Sequence, residues 1–289
     1  MRALKLALGL VAMALLCPAQ PFEILERLPD WVSVTPDIPY DRYSQTVLDV
    51  MRPKDRYAGK RPGVLVIHGG GWVRLRKERN VAGFCLPYLE RGFVAANVEY
   101  RLANAAPAPA AVRDVLRAAA WFRRHAAAYG VDDAKIVVTG ESAGAHLALM
   151  VAMTPESAGF GPAARVAAVV DVFGVTDVAD LLTGPNARWY TQEWIPEQPG
   201  RLDLARRLSP LTYVRTGLPP VLIVHGDADR SVPYEHAVRL DGALRSAGVD
   251  VERITVPNGK HGFTVAEWNE LLPRTFAFLA AHGIRSVKP

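Results

Sequence analysis

Four short segments of this 289-residue chain hold the residue types that nucleophilic catalysis requires. The first is Gly140-Glu141-Ser142-Ala143-Gly144. A serine hydroxyl is a poor nucleophile until it is held and deprotonated. Lys135–Thr139 reads as a strand and Ala143–Met153 as a helix, so Ser142 falls on a strand-to-helix turn. Glycines two residues to either side remove the Cβ atoms that would collide there, and a helix amino terminus favours developing negative charge. The five-residue pattern alone is weak; this context makes it specific.

The second segment is His68-Gly69-Gly70-Gly71-Trp72, directly after an apolar strand at Gly63–Ile67. Consecutive glycines expose backbone N–H groups, the donors that a tetrahedral oxyanion needs, and Ala143 adds another. A phosphate loop would need a lysine and a spacing that are absent here. His68 is expected to brace this loop rather than act as a base. Trp72 suits a pocket wall or the core, and the wall is the expectation. The third segment, His225-Gly226-Asp227-Ala228-Asp229-Arg230-Ser231-Val232-Pro233, offers two carboxylates that can orient an imidazole. Asp229, just before the Val-Pro turn, is preferred; Asp227 is then turn chemistry or a cap. The fourth, Lys260-His261-Gly262-Phe263, holds a loop histidine with reach to both Ser142 and Asp229. His125, His146, His236 and His282 fall in helical segments and are expected to be structural.

The elements that must position these groups alternate. Gln45–Val50 reads as an early strand, followed by Gly63–Ile67, Phe93–Val98, Lys135–Thr139, Val166–Val170, Val221–His225 and Val251–Val256. Helical periodicity covers Asn80–Arg91, Ala108–Tyr129, Ala143–Met153, Glu235–Ala247 and Glu267–Ala281. Continuous apolar strands separated by helices imply an α/β fold, a mostly parallel sheet covered on both faces. Ligands in such sheets sit beyond the carboxyl ends of the strands, where all four segments fall. Asp177–Gly217, rich in Pro, Arg and Trp, reads as an irregular excursion between two strands.

Half of the residues are hydrophobic and 22% are charged, an ordinary globular composition. The first 19 residues have the pattern of a secretory signal peptide: Arg2 and Lys5, an uncharged apolar run Leu6–Leu16, then Cys17-Pro18-Ala19. The apolar run is shorter than the roughly 17–25 residues a membrane span needs. A lipoprotein at Cys17 is the alternative, and Leu16 fits it poorly. The expected product is residues 20–289, a single catalytic domain, secreted or periplasmic, with no stable membrane span. Losing Arg2 and Lys5 lowers the formal charge from +5 to +3, too mild and dispersed for a nucleic-acid partner. Cys85 is then the one remaining cysteine, in the apolar context Phe84-Cys85-Leu86, and is expected to be a buried small hydrophobe. The histidines and acids show no zinc-ligand spacing, so neither metal nor cofactor is expected.

With these residues in place, the sequence resembles the α/β-hydrolase superfamily over essentially all of residues 20–289. More narrowly it resembles the esterase/lipase branch that includes hormone-sensitive-lipase-like esterases and bacterial feruloyl and acetyl-xylan esterase-like enzymes. The matching pieces are HGGGW at 68–72, EYRL at 99–102, GESAGAHLAL at 140–149, SPLTYV at 209–214, HGDADRSVP at 225–233 and KHGF at 260–263. Ser142, Asp229 and His261 follow the chain order of that superfamily. The resemblance implies Ser142 as nucleophile, His261 as base, Asp229 as its orienter, and Gly70, Gly71 and Ala143 as oxyanion donors. GESAGAH stands where hormone-sensitive-lipase-like enzymes often have GDSAGG, and their long amino-terminal cap is missing. Both departures favour the polysaccharide-side-chain esterases.

The activity implied is hydrolysis of short acyl esters, such as acetyl or feruloyl groups on small molecules or plant polysaccharides, through an acyl-enzyme. An amidase, arylformamidase or peptidase on the same fold is the alternative; a non-catalytic scaffold is disfavoured by the intact set of three. Trp189, Tyr190 and Trp194, in the excursion, are candidates to roof the pocket. Arg74, Arg76, Lys77 and Arg79 suit the attraction of an anionic group such as an acidic sugar, but a solvated helix start is the expectation there.

Overall fold

Six parallel strands lie side by side in a computed structural model that describes residues 28–285, apart from 56 and 58. The eight strands are β1 (Val32–Pro39), β2 (Val47–Pro53), β3 (Arg61–Ile67), β4 (Val94–Val98), β5 (Val131–Glu141), β6 (Ala168–Val172), β7 (Val221–Gly226) and β8 (Val251–Val256). Their order across the sheet is β1-β2-β4-β3-β5-β6-β7-β8. β1, β2 and β4 pair antiparallel; every pairing from β4 through β8 is parallel. This is the covered, mostly parallel sheet that the sequence pattern implies and the α/β-hydrolase fold that the resemblance implies. Strands β3, β4, β6 and β7 are buried at every position, because helices cover both faces and no residue need be polar. The signal-peptide reading of residues 1–19 lies outside the described residues.

The helices are α1 (Leu86–Glu90), α2 (Ala110–His125), α3 (Ala143–Met153), α4 (Val178–Leu182), α5 (Trp189–Trp194), α6 (Arg201–Arg207), α7 (Glu235–Ser246) and α8 (Val265–Ala281). α3 is buried along its whole length, which its Ala-Leu-Met composition permits. No helix among the described residues is long and apolar enough to cross a membrane.

Three features differ from expectation. β1 was not expected: it is an edge strand with Pro36 and Pro39, and its register shifts between Thr35 and Ile38. Proline and a bulge erase the alternation that marks a strand. The helix expected over Asn80–Arg91 is broken into a π-turn at Val81–Cys85 and the short α1, with a 3₁₀ turn at Lys77–Arg79 before it. Pro87 explains the break, since it cannot donate to the carbonyl four residues back and its ring clashes there. The excursion after β6 is not irregular throughout; it folds into α4, α5, α6 and a 3₁₀ turn at Pro210–Tyr213. Ser209 joins two of these helices, accepting from Val178 N (2.8 Å) and donating to Ala205 O (2.8 Å). Cys85 is fully buried, and burial pushes its thiol pKa up, as a small core hydrophobe requires.

α8 begins four residues beyond His261, and its start is fixed by a capping box. Glu267 N donates to Thr264 Oγ1 at 3.3 Å, while Thr264 N donates to the Glu267 carboxylate at 2.6 Å. Thr264→Ala should lower stability by about 1 kcal/mol. Chemical denaturation will check this; an unchanged unfolding midpoint would show that the box contributes nothing.

Candidate active site

The carboxyl ends of adjacent strands deliver the site in spatial order. The glycine loop 68–71 follows β3, Ser142 follows β5, Phe173 follows β6, Asp229 lies beyond β7, and His261 beyond β8. Residues far apart in sequence therefore meet because parallel strands all end at the same edge of the sheet.

Ser142 is held at φ 54° and ψ −120°, a conformation a non-glycine residue adopts only under constraint. The constraint is steric. A Cβ at Gly144 would fall 2.1 Å from Ile67 O, and one at Gly140 would fall 2.5 Å from both Ile67 O and Gly144 C. The turn carrying the serine is thus pressed against the end of β3, where the glycine loop begins. Ser142 N donates to Val172 O at 2.9 Å, and its hydroxyl caps no helix N–H. That hydroxyl lies 3.0 Å from His261 Nε2. His261 Nδ1 donates to Asp229 Oδ2 at 2.7 Å, which fixes the tautomer that leaves Nε2 as the acceptor for the serine proton.

Asp229 is itself clamped. Its Oδ1 accepts from Ser231 N (2.7 Å) and Val232 N (3.0 Å). His225 Nε2 lies 3.3 Å from Oδ2 and 3.1 Å from Val232 O. Both neighbours are acceptors, so His225 carries its proton on Nε2. Burial opposes ionisation of Asp229, but hydrogen bonds from His225, His261 and the Val232 amide outweigh it and hold the carboxyl well below its usual range. Asp227, the other carboxylate of the segment, accepts from Asn258 N at 2.6 Å and serves a turn.

The glycine loop is positioned from below by polar side chains. His68 Nδ1 donates to Gly69 O (2.8 Å), its Nε2 lies 3.3 Å from Glu99 Oε1, and its ring stacks on Tyr100 at 4.2 Å. Tyr100 donates its hydroxyl to His68 O at 3.0 Å. His68 is therefore a brace, and the residues 99–100 of the EYRL segment are its supports. Arg101 of the same segment ties the chain to α2 through a two-pronged pair with Asp114 (2.8 and 2.6 Å). Gly70 and Gly71 have φ of 105° and 64° and line the cavity beside Ser142. A Cβ at Gly70 would sit 2.1 Å from Arg74 O. The Ala143 N–H belongs to the first turn of α3, where a helix leaves its donors without internal acceptors.

The cavity has a volume of about 370 Å³. Trp189, 55% exposed, and Tyr190, which rests on Gly71 and donates to Ser231 O (3.0 Å), are in its wall, as expected. Trp72 and Trp194 are not. Both are fully buried and stack on each other at 4.1 Å. Trp72 Nε1 donates to His146 Nδ1 (3.1 Å), and His146 Nε2 donates to Leu208 O (2.7 Å). The two rings thus fill the joint between α3 and the excursion rather than facing substrate. Phe173 was missed. It carries φ 43°, lines the cavity and lies 4.7 Å from the His261 ring. Its position just past β6, an edge where neighbouring strands all deliver site residues, was the available signal. Arg74 and Arg79 also line the cavity rather than a solvated helix start. Lys77 is buried against Asp49 and Asp37, 3.0 Å each, and Glu78, 3.1 Å.

A nucleophile-base-carboxylate relay at the strand ends of this sheet defines the site of an α/β-hydrolase. The BD-FAE family model matches residues 48–244, more than half of the chain, and the chain belongs to that family, within the esterase/lipase group. It is 30% identical to the esterase LipQ of Mycobacterium tuberculosis over 82% of its own length and 59% of that protein's. The chain spans less than two thirds of the length of this and other curated relatives it matches. Among solved structures it is similar to a truncated carbohydrate esterase from gut microbiota (26% identity, TM-score 0.75, covering 86% of this chain and 96% of that one). It is likewise similar to butyrate-bound Est2, a thermophilic esterase of Thermogutta terrifontis (27% identity, TM-score 0.74, 90% and 97%).

His146 and His236 supply a pH test of this architecture. Burial lowers both pKa values, His146 to about 4. Between the unfolded value near 6.5 and about 4 the unfolded chain binds more protons, so stability is present above about pH 6.5 and is lost as pH falls. His146→Gln should remove a share of that loss on the order of 3 kcal/mol at most. Denaturation midpoints at pH 7 and pH 4.5 will check it; identical pH slopes in both proteins would refute it.

Proposed function

We propose that the protein is a serine carboxylesterase acting on short acyl esters of small molecules or plant polysaccharides. The observation that carries this reading is the unbroken relay from Ser142 through His261 to Asp229 at the mouth of a cavity. In the reaction His261 Nε2 takes the hydroxyl proton as Ser142 Oγ attacks the ester carbonyl. Asp229 keeps the imidazole in the correct tautomer and stabilises its charged form. Gly70, Gly71 and Ala143 offer the N–H groups for the tetrahedral oxyanion, with the α3 amino terminus adding favourable potential. His261 then protonates the leaving alcohol, and water activated by the same imidazole releases the acid.

The substrate class rests on shape and company. A cavity of about 370 Å³ admits a short acyl group. Phe173, Trp189 and Tyr190 offer aromatic faces that suit either a sugar ring or an aromatic acid. The similarity to a carbohydrate esterase and to an esterase holding butyrate favours acetyl, butyryl or feruloyl esters. The charged, apolar and small-residue pattern of residues 1–19 supports action outside the cytoplasm after cleavage of that leader.

Turnover of p-nitrophenyl acetate, butyrate and octanoate, methyl ferulate and acetylated xylan tests the reading. Short esters should be hydrolysed and p-nitroanilide amides should not. Ser142→Ala should lower kcat by about 10⁶-fold with the fold intact by circular dichroism. Asp229→Asn should lower it by about 10⁴-fold, against little change for Asp227→Asn. Full activity in Ser142→Ala, or the reverse order of the two Asn variants, would overturn the assignments.

A further inference from the structure

Two guanidinium groups stand in the cavity wall without an ion pair among the described residues. Among the described residues, neither Arg74 nor Arg79 has a carboxylate oxygen within 4.0 Å. Both are exposed, and both line the same cavity as Ser142 and His261. Other arginines of the chain are used differently: Arg101 holds Asp114, Arg239 holds Asp177, and Arg253 holds Asp241. Lys77, between the two in sequence, is enclosed by three carboxylates. The contrast within six residues is what singles the pair out.

The surroundings fix the direction in which these cations can act. Arg74 lies over the Trp189 ring, 5.6 Å from its centroid, so an aromatic wall holds the guanidinium without discharging it. Gly70 O accepts from Arg74 N at 3.2 Å, so Arg74 is anchored directly to the glycine loop beside Ser142. Arg79 faces Glu141, the acidic residue of the cavity wall. Glu141 is mostly buried, and burial raises its pKa against the opposing pull of Arg79. Even with Glu141 ionised, two arginines against one carboxylate leave the wall beside the serine with net positive charge. Arginine suits planar carboxylates, which it grips with two parallel N–H donors.

Resting on the esterase reading above, we infer that the cavity selects esters carrying a second, ionised carboxylate, with Arg74 and Arg79 as the residues that receive it. Such an ester has one anionic arm and one scissile carbonyl, as in a dicarboxylic half-ester or an acylated hydroxy- or uronic acid. The carboxylate can belong to the acyl part or to the alcohol part, and the test separates the two sources. Binding through a remote charge positions the carbonyl at Ser142 and enters kcat/KM.

Matched pairs provide the measurement. On the acyl side, p-nitrophenyl hydrogen succinate is compared with p-nitrophenyl butyrate. On the alcohol side, 4-acetoxybenzoate is compared with its methyl ester. The readout is the anionic-to-neutral ratio of kcat/KM, taken in the wild type, Arg74→Ala, Arg79→Ala and the double variant. For one of the two pairs the ratio should fall about fivefold to tenfold in each single variant and further in the double, with the change in KM. Raising salt to 1 M should lower the wild-type ratio for that same pair, because exposed charges are screened. Arg79→Glu should lower the ratio below that of Arg79→Ala. Ratios unchanged by every substitution, while neutral esters are turned over, would overturn the inference and leave the esterase reading standing. Loss of turnover of all neutral esters by the wild type would instead overturn that reading. In that case titration of the Ser142→Ala protein with monoethyl succinate and with ethyl butyrate decides the inference alone. Tighter binding of the anion, abolished in the added presence of Arg74→Ala and Arg79→Ala, supports it; equal binding overturns it.

Discussion

There is no room for a side chain between the start of α3 and the end of β3. The carbonyls of Ile67 and His68 stand where Cβ atoms of Gly140 and Gly144 would be, at distances that no real Cβ tolerates. This close approach forces Ser142 into its left-handed backbone and brings the α3 amino terminus against the loop that carries Gly70 and Gly71. A serine oxygen, a helix terminus and a row of backbone amides thereby share one small volume. The strain at Ser142 persists because packing over-determines it, with α3 buried along its whole length and β5 paired on both sides.

Around this joint the polar groups are held in rank. Behind the glycine loop lie His68, Tyr100 and Glu99; behind His261 lie Asp229, the Ser231 and Val232 amides and His225. These supports are buried, apart from half-buried Ser231, so water competes poorly for their hydrogen bonds and one geometry is fixed. The ionised state of Asp229 is maintained in the same way, by donors that outweigh its desolvation. The reacting groups can therefore meet substrate with little reorganisation, which is where electrostatic catalysis gains most.

The excursion after β6 has a double role. One side of it is core: Trp194 stacks on Trp72, and the Leu208 carbonyl accepts a hydrogen bond from His146 Nε2. The other side is wall: Trp189 and Tyr190 face the cavity with Phe173 and the arginines of the glycine-loop extension. Core and cavity wall thus meet in α5, which supplies Trp194 to the first and Trp189 and Tyr190 to the second.

The sequence by itself determined the alternation of strands and helices, the serine turn, the glycine loop and the three residues at strand ends. These are legible because they are local: a period of apolar residues, a glycine where no Cβ fits, an Asp before a Val-Pro turn. Its weaker points were also local, at β1 and at Pro87, where proline overrides the hydrophobic pattern. Only the tertiary structure decided which aromatic rings line the cavity. Trp72, Trp189 and Trp194 carry the same chemistry, and their fates depend on how α5 packs over α3, a contact between residues far apart in the chain. The same holds for Arg74, Lys77 and Arg79. Three neighbouring cations differ only in whether a distant carboxylate folds back to meet them, and Asp37 of β1 and Asp49 of β2 choose Lys77 alone. Side-chain type is written in the chain; the environment that gives a charge or a ring its function is made by the packing of remote segments.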